Sequence, residues 1–200
     1  MTAIETAATG VPAEGTRARV ERAALDLFTL RGFEQVTTDE VADAAGISRR
    51  TFFRYFATKA DAVWGDFAAH AARLEELLAG ADRAQPVLTS VCAAYVEVND
   101  YAAAELPLLR ERMLLILTEP ALLAHSQLRY AEVDRVVARY VSARTAAQDT
   151  DLVPRLVAAT TRAAATTAFQ AWLSDERSAL GTHLRQAFDE LTAGFPALLR

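Results

Sequence analysis

An all-α fold is what this sequence predicts, on three observations. Apolar residues recur at three- and four-residue spacing through about nine stretches, and none shows the alternation of a half-buried strand. Helix start signals precede several of these stretches: Thr37 with Glu40, then Ser48, then Thr58, then Thr150 or Asp151. Glycine or proline punctuates the gaps, at Gly32, Gly46, Gly80, Pro86 and Gly194 among others. The expected organisation is a disordered tail over residues 1–14, a three-helix domain over residues 15–60, and a larger helical domain over residues 61–200.

The tail is small and polar, broken by Gly10 and Pro12, and without periodicity. A first helix follows from about Thr16 to Arg31, with Val20, Ala24, Leu27 and Phe28 on one stripe, and Gly32 ends it. Thr37 and Glu40 then stand three apart as a capping box, in which each side chain satisfies a backbone N–H left open by the first helical turn. Val41, Ala42 and Ala45 give the second helix one apolar side. Gly46 supplies the backbone conformation of a tight exit, Ile47 plugs the turn, and Ser48 caps a third helix from Arg49 to Phe56. Two short helices joined by a glycine turn define a helix-turn-helix, here over residues 38–57.

The third helix has two unlike sides. Phe52 and Phe56 share a face that can bury, whereas Arg49 with Phe53 and Arg50 with Arg54 form the opposite rows. Between Ser48 and Lys59 lie four bases and no acid. A basic, aromatic-studded helix of this length suits the DNA major groove, which is wide enough to admit it. The overall net charge of -5 does not oppose this reading, because contacts are made locally and salt screens beyond about 10 Å.

The run from about Arg17 to Trp64, GF-x-x-VTT-x-x-VA-x-AAGIS-x-x-TFF-x-YF-x-x-K, resembles the tetracycline-repressor (TetR) family of bacterial transcriptional regulators. The resemblance implies that Thr38, Phe53, Tyr55 and Lys59 touch phosphates of double-stranded operator DNA, with Arg54 beside them. It implies that Arg49, Arg50 and Thr51 reach base edges. Two positions depart from the family pattern: Phe53 stands where Tyr is common, and Tyr55 where His is common.

A fourth helix is expected from Thr58 to about Ala79, its apolar stripe running unbroken from Trp64 to Leu78. Five more follow: Val87 to Ala104, Leu108 to Leu117, Pro120 to Ala143, a fourth from its cap at Asp151 or Thr150 to Leu173, and Ser178 to Ala193. The region from Tyr101 to Tyr140 sets Arg110, Arg112 and Arg129 among apolar side chains. Two readings fit: arginines paired at the surface with Glu105, Glu111 and Glu132, or an apolar slot with a cationic mouth. The segment, with RRTFFRYF and WGDF, resembles the mycofactocin-system branch of TetR regulators, which implies a small-molecule effector of the long-chain acyl-CoA class. Tyr95, Arg112, Met113, Ile116, Leu117 and Arg129 are its candidate contacts. Two-fold operators imply a homodimer, and the family's last two helices imply Ala164, Ala168, Leu184, Phe188 and Leu191 at its interface.

Other chemistry finds little support. The single Cys92 excludes an intramolecular disulfide, and the three histidines show no metal-ligand spacing, so no metal or cofactor is expected. No run of eighteen apolar residues and no signal-peptide pattern occurs, so a soluble, cytoplasmic protein without membrane contact is expected. The chain reads as a ligand-responsive repressor and not an enzyme. The alternative is an all-helical carrier of apolar ligands without specific DNA binding.

Overall fold

The computed structural model describes residues 15–195, so the expected tail lies outside the described residues. Among the described residues there are nine α-helices and no strand. They are α1 (Thr16–Arg31), α2 (Thr38–Ala44), α3 (Arg49–Tyr55), α4 (Phe67–Ala79), α5 (Val87–Val98), α6 (Leu106–Thr118), α7 (Pro120–Thr145), α8 (Leu152–Ser174) and α9 (Leu180–Ala193). A single 3-10 turn, Asp61–Val63, lies between α3 and α4. The chain forms two compact units, one ending at Gly65 and one beginning at Asp66.

In the first unit α1 stops at Gly32, whose φ of 83° lies in the region that favours glycine. Its amide donates to the Phe28 carbonyl at 2.9 Å. Val20, Ala24, Leu25 and Phe28 are buried, and the Phe33 ring meets Phe28 edge-on at 5.0 Å. The third helix closes this core with Phe52 and Phe56, which are 0% and 2% exposed. Burying each such ring contributes about 1.5–3 kcal/mol. Arg17 of α1 lies over the Phe56 ring at 5.0 Å and donates to the Gly65 carbonyl at 3.0 Å, which ties the start of the unit to its end.

The fourth helix departs from expectation. Instead of one helix from Thr58, the Asp61 carboxylate accepts from the Thr58 amide and hydroxyl at 2.8 and 3.0 Å and closes the short 3-10 turn. Gly65 then adopts a φ of 64°, and Asp66 starts α4 afresh by accepting from the Ala69 amide at 3.2 Å. Two competing start signals, eight residues apart with a glycine between them, divide what the apolar stripe alone reads as continuous. The fifth helix also ends early. The Asn99 amide donates to the Tyr95 carbonyl at 2.8 Å, a local side-chain bond of the kind that competes with the helical ladder.

In the second unit α8 packs against α7 and α9, and α4 against α5 and α7. Trp172, Val137, Leu184, Phe188 and Tyr95 belong to one core. Arg110 of α6 lies 4.1 Å over the Trp172 ring and donates to the carbonyls of Trp172 and Leu173 at 2.9 and 3.3 Å. It therefore caps the end of α8, where open carbonyls favour a cation. No helix among the described residues is long and apolar enough to cross a membrane.

Candidate nucleic-acid interface

The helix-turn-helix is assembled by local chemistry. The Thr37 amide donates to the Glu40 carboxylate at 2.8 Å and the Glu40 amide to the Thr37 hydroxyl at 3.2 Å, completing the expected capping box. Arg31 adds an ion pair to Glu40 at 2.7 Å. These hydrogen bonds, with that of the Thr37 backbone foremost, hold the Glu40 carboxyl down from 4.5 to about 2. At the other end of α2 the Ile47 amide reaches the Ala42 carbonyl and the Gly46 amide the Asp43 carbonyl, both at 3.0 Å. This paired closure requires a left-handed residue, and Gly46 supplies it at a φ of 66°. Ser48 then accepts from the Thr51 amide at 3.1 Å and starts α3.

With Phe52 turned into the core, the remaining positions of α3 face outward. Arg49, Arg50, Phe53 and Arg54 are exposed, and Thr51 and Tyr55 partly so. Arg49 lies 5.4 Å over the Phe53 ring, and Phe53 itself is 44% exposed. Arg54 donates to the Tyr55 hydroxyl at 3.3 Å and lies 5.0 Å over its ring. That guanidinium, assisted by Thr16 and Arg19, draws the Tyr55 phenol below its ordinary value of 10.0. Thr38 is partly exposed at the first position of α2. Lys59, expected at a phosphate, is also anchored within the unit. Its ammonium donates to the carbonyls of Phe33 and Val36 at 2.7 and 2.9 Å and lies 4.3 Å over the Phe33 ring, leaving one donor.

Sequence reasoning missed the pair between Arg49 and Asp39, in which Nη1 lies 2.9 Å from both carboxylate oxygens. The two residues are ten apart across the turn, and no periodic rule joins them. It also missed the anchoring of Lys59, for the same reason.

An outward basic helix, held by a capped partner helix through a left-handed glycine, defines a helix-turn-helix DNA-binding regulator. Residues 22–62 match the bacterial regulatory proteins of the tetR family, and residues 85–196 match the MftR C-terminal domain. The chain is 39% identical over 175 residues to MftR of Mycobacterium tuberculosis, a regulator assigned to mycofactocin biosynthesis, with 88% of each chain covered. Among solved structures it resembles FadR of Thermus thermophilus, a TetR-family repressor in complex with lauroyl-CoA. That likeness has a TM-score of 0.56 at 21% identity, over 88% of this chain and 93% of that one. It also resembles FadR of Bacillus subtilis in complex with stearoyl-CoA, with a TM-score of 0.62 at 15% identity, over 88% and 97%. The chain belongs to the TetR family of transcriptional regulators, and it is a DNA-binding regulator rather than an enzyme or a carrier.

The second unit holds the expected effector residues in different settings. Tyr95 is 4% and Ile116 1% exposed, and the Tyr95 ring packs against Phe188 at 5.6 Å. Both are core residues of the subunit. Met113 and Leu117 are partly buried against the same core, while Arg112 and Arg129 are partly exposed. None of these six lines the groove of about 580 Å³ between α5 and α9 or that of about 280 Å³ between α4 and α7. The expected interface residues are buried to different degrees. Leu184, Phe188 and Ala168 are 0%, 3% and 2% exposed within a single subunit, and Ala164 and Leu191 pack against that core. Of the α9 stripe, Leu180, Leu184 and Phe188 are buried inside their own chain and Leu191 is partly exposed. The outward face of α8 instead carries Leu156, Ala163 and Thr167, all exposed.

Proposed function

We propose that the protein is a homodimeric cytoplasmic repressor that leaves its operator when an effector joining a long apolar chain to an anionic end, of the acyl-CoA class, occupies its second unit. The helix-turn-helix supports the operator, with Arg49, Arg50 and Thr51 at base edges and Thr38, Phe53, Arg54, Tyr55 and the remaining donor of Lys59 along phosphates. The observation that carries the effector class is the pair Arg112 and Arg129, partly exposed on α6 and α7, the helices that also carry partly buried Met113 and Leu117 and exposed Leu114 and Leu123. A guanidinium matches phosphate geometry better than an ammonium does. The acyl-CoA bound to the two FadR structures of like fold supports the same chemistry. For an acyl chain to enter, side chains on α6 must leave their present packing.

The dimer is drawn through the outward face of α8, where Ala163 and Thr167 permit close approach of a second helix and Leu156 adds apolar area. Two recognition helices held by such an interface read half-sites about 34–36 Å apart, one DNA turn. Effector and operator then compete through the separation of those helices.

The test is a titration with palmitoyl-CoA, with and without the DNA flanking the protein's own gene. Binding at micromolar concentration is expected, together with operator weakening of about 5- to 150-fold and an equal loss of effector affinity on operator. Coenzyme A alone and palmitate alone separate the anionic from the apolar contribution. Absence of binding by any of the three overturns the effector, and equal effector affinity with and without DNA overturns the coupling.

A further inference from the structure

We propose that Asp39 is a positioning residue for sequence recognition, holding Arg49 so that its free edge selects guanine. The inference rests on α3 being the helix that enters the major groove. Arg49 is held on two sides by two different residues. Its Nη1 lies 2.9 Å from both Asp39 oxygens, and its guanidinium lies 5.4 Å over the Phe53 ring. The Arg50 side chain, one residue on, is exposed and makes no ion pair or hydrogen bond among the described residues.

The consequence follows from the shape of the guanidinium, which carries five N–H donors in a fixed fork. Asp39 occupies Nη1, so Nε and Nη2 remain as two parallel donors along one edge. The major-groove edge of guanine offers N7 and O6 as two adjacent acceptors, whereas adenine offers one acceptor beside a donor. A side chain held in one geometry also gives up less rotamer freedom on docking than a free arginine does. Asp39 is an acid in the first turn of α2, and with α3 docked in the groove it would stand near phosphates that repel it, a cost that its pair with Arg49 offsets. A competing role is only structural: an acid in the first turn of a helix favours that helix through its dipole.

Selection from a library of randomised duplexes, followed by sequencing of those retained, tests this whatever the operator's sequence. The wild type is compared with Arg49→Ala, Asp39→Ala, Asp39→Asn and the double variant Asp39→Ala with Arg49→Ala. The wild-type pool is expected to show guanine at one position of each half-site. Arg49→Ala lowers that enrichment by about 5- to 150-fold, the range for a bidentate base contact. Asp39→Ala lowers it by about 2- to 5-fold at the same position, as fits an exposed pair, and Asp39→Asn falls between. In the double variant, loss of Asp39 adds nothing to loss of Arg49, because the two act through one contact.

Three results overturn the proposal: unchanged guanine enrichment in Asp39→Ala, a change at a different base pair that persists without Arg49, or an equal loss at every position. The second would make Asp39 a direct reader of cytosine, and the third would leave it the structural role, seen also as lower melting temperature. If the wild type retains no sequence in a salt-sensitive complex, it is the operator-binding reading that fails instead.

Discussion

At the scale of single residues, Lys59 and Glu40 show how much of the recognition unit depends on polar groups facing inward. Lys59 joins the loop carbonyls of Phe33 and Val36, so replacing it does more than remove a charge from the surface. Hydrogen bonds from a charged donor contribute about 1.5–3 kcal/mol between them. Lys59→Ala is therefore expected to lower the stability of the unit by about that amount in denaturant titration, as well as weakening all DNA sequences alike. A residue that only met phosphate would leave the titration unchanged. Glu40 predicts a pH dependence. Its carboxyl titrates at 4.5 ordinarily and at about 2 in the fold, so the folded state favours the ionised form. The stabilisation is complete above pH 4.5 and is lost as the pH falls from there toward 2. Circular dichroism melts across that window should show a steeper acid loss for the wild type than for Glu40→Gln, which keeps a cap but does not titrate.

The nine helices differ in how far their sequences disclose them. Starts governed by local chemistry were legible: the box of Thr37 and Glu40, Ser48 three before Thr51, and Pro120 at the head of α7 all stand where expected. The break before α4 was not, because an apolar stripe continues across Trp64 and Leu74 whether or not the backbone does. Which partner an apolar face meets was also hidden. The i, i+4 row of Leu180, Leu184 and Phe188 fits a second subunit as well as it fits the chain's own core, and the structure places it in the core. The effector contacts were obscured by the same ambiguity, since Tyr95 and Ile116 look alike as pocket wall or filler. This separates two substitutions. Leu184→Glu puts an unpaired charge at a fully buried position, at several kcal/mol, and is expected to leave the second unit unfolded by circular dichroism. Ala163→Glu lies on the exposed face of α8 and should leave a helical protein that light scattering finds monomeric. A dimeric Ala163→Glu would move the proposed interface off that face.

For the whole molecule, charge is what binds the helices to a function. The chain carries a net charge of -5, yet between Ser48 and Lys59 it has only bases. If about three phosphates are neutralised per subunit, a dimer meets roughly six, and log K should fall against log salt with a slope near about −5. A slope shallower than about −2 in filter binding would mean that α3 does not dock as drawn. The scarcity of lysine has a use of its own. Among these 200 residues Lys59 is the only lysine, so it is their one side-chain target for an amine-directed reagent. With its nitrogen held on two carbonyls, Lys59 is acylated faster when the recognition unit opens than while it is closed. The slow component of labelling, followed by intact mass, is thus a clock for that opening, and operator DNA should slow it by the factor by which it stabilises the closed form.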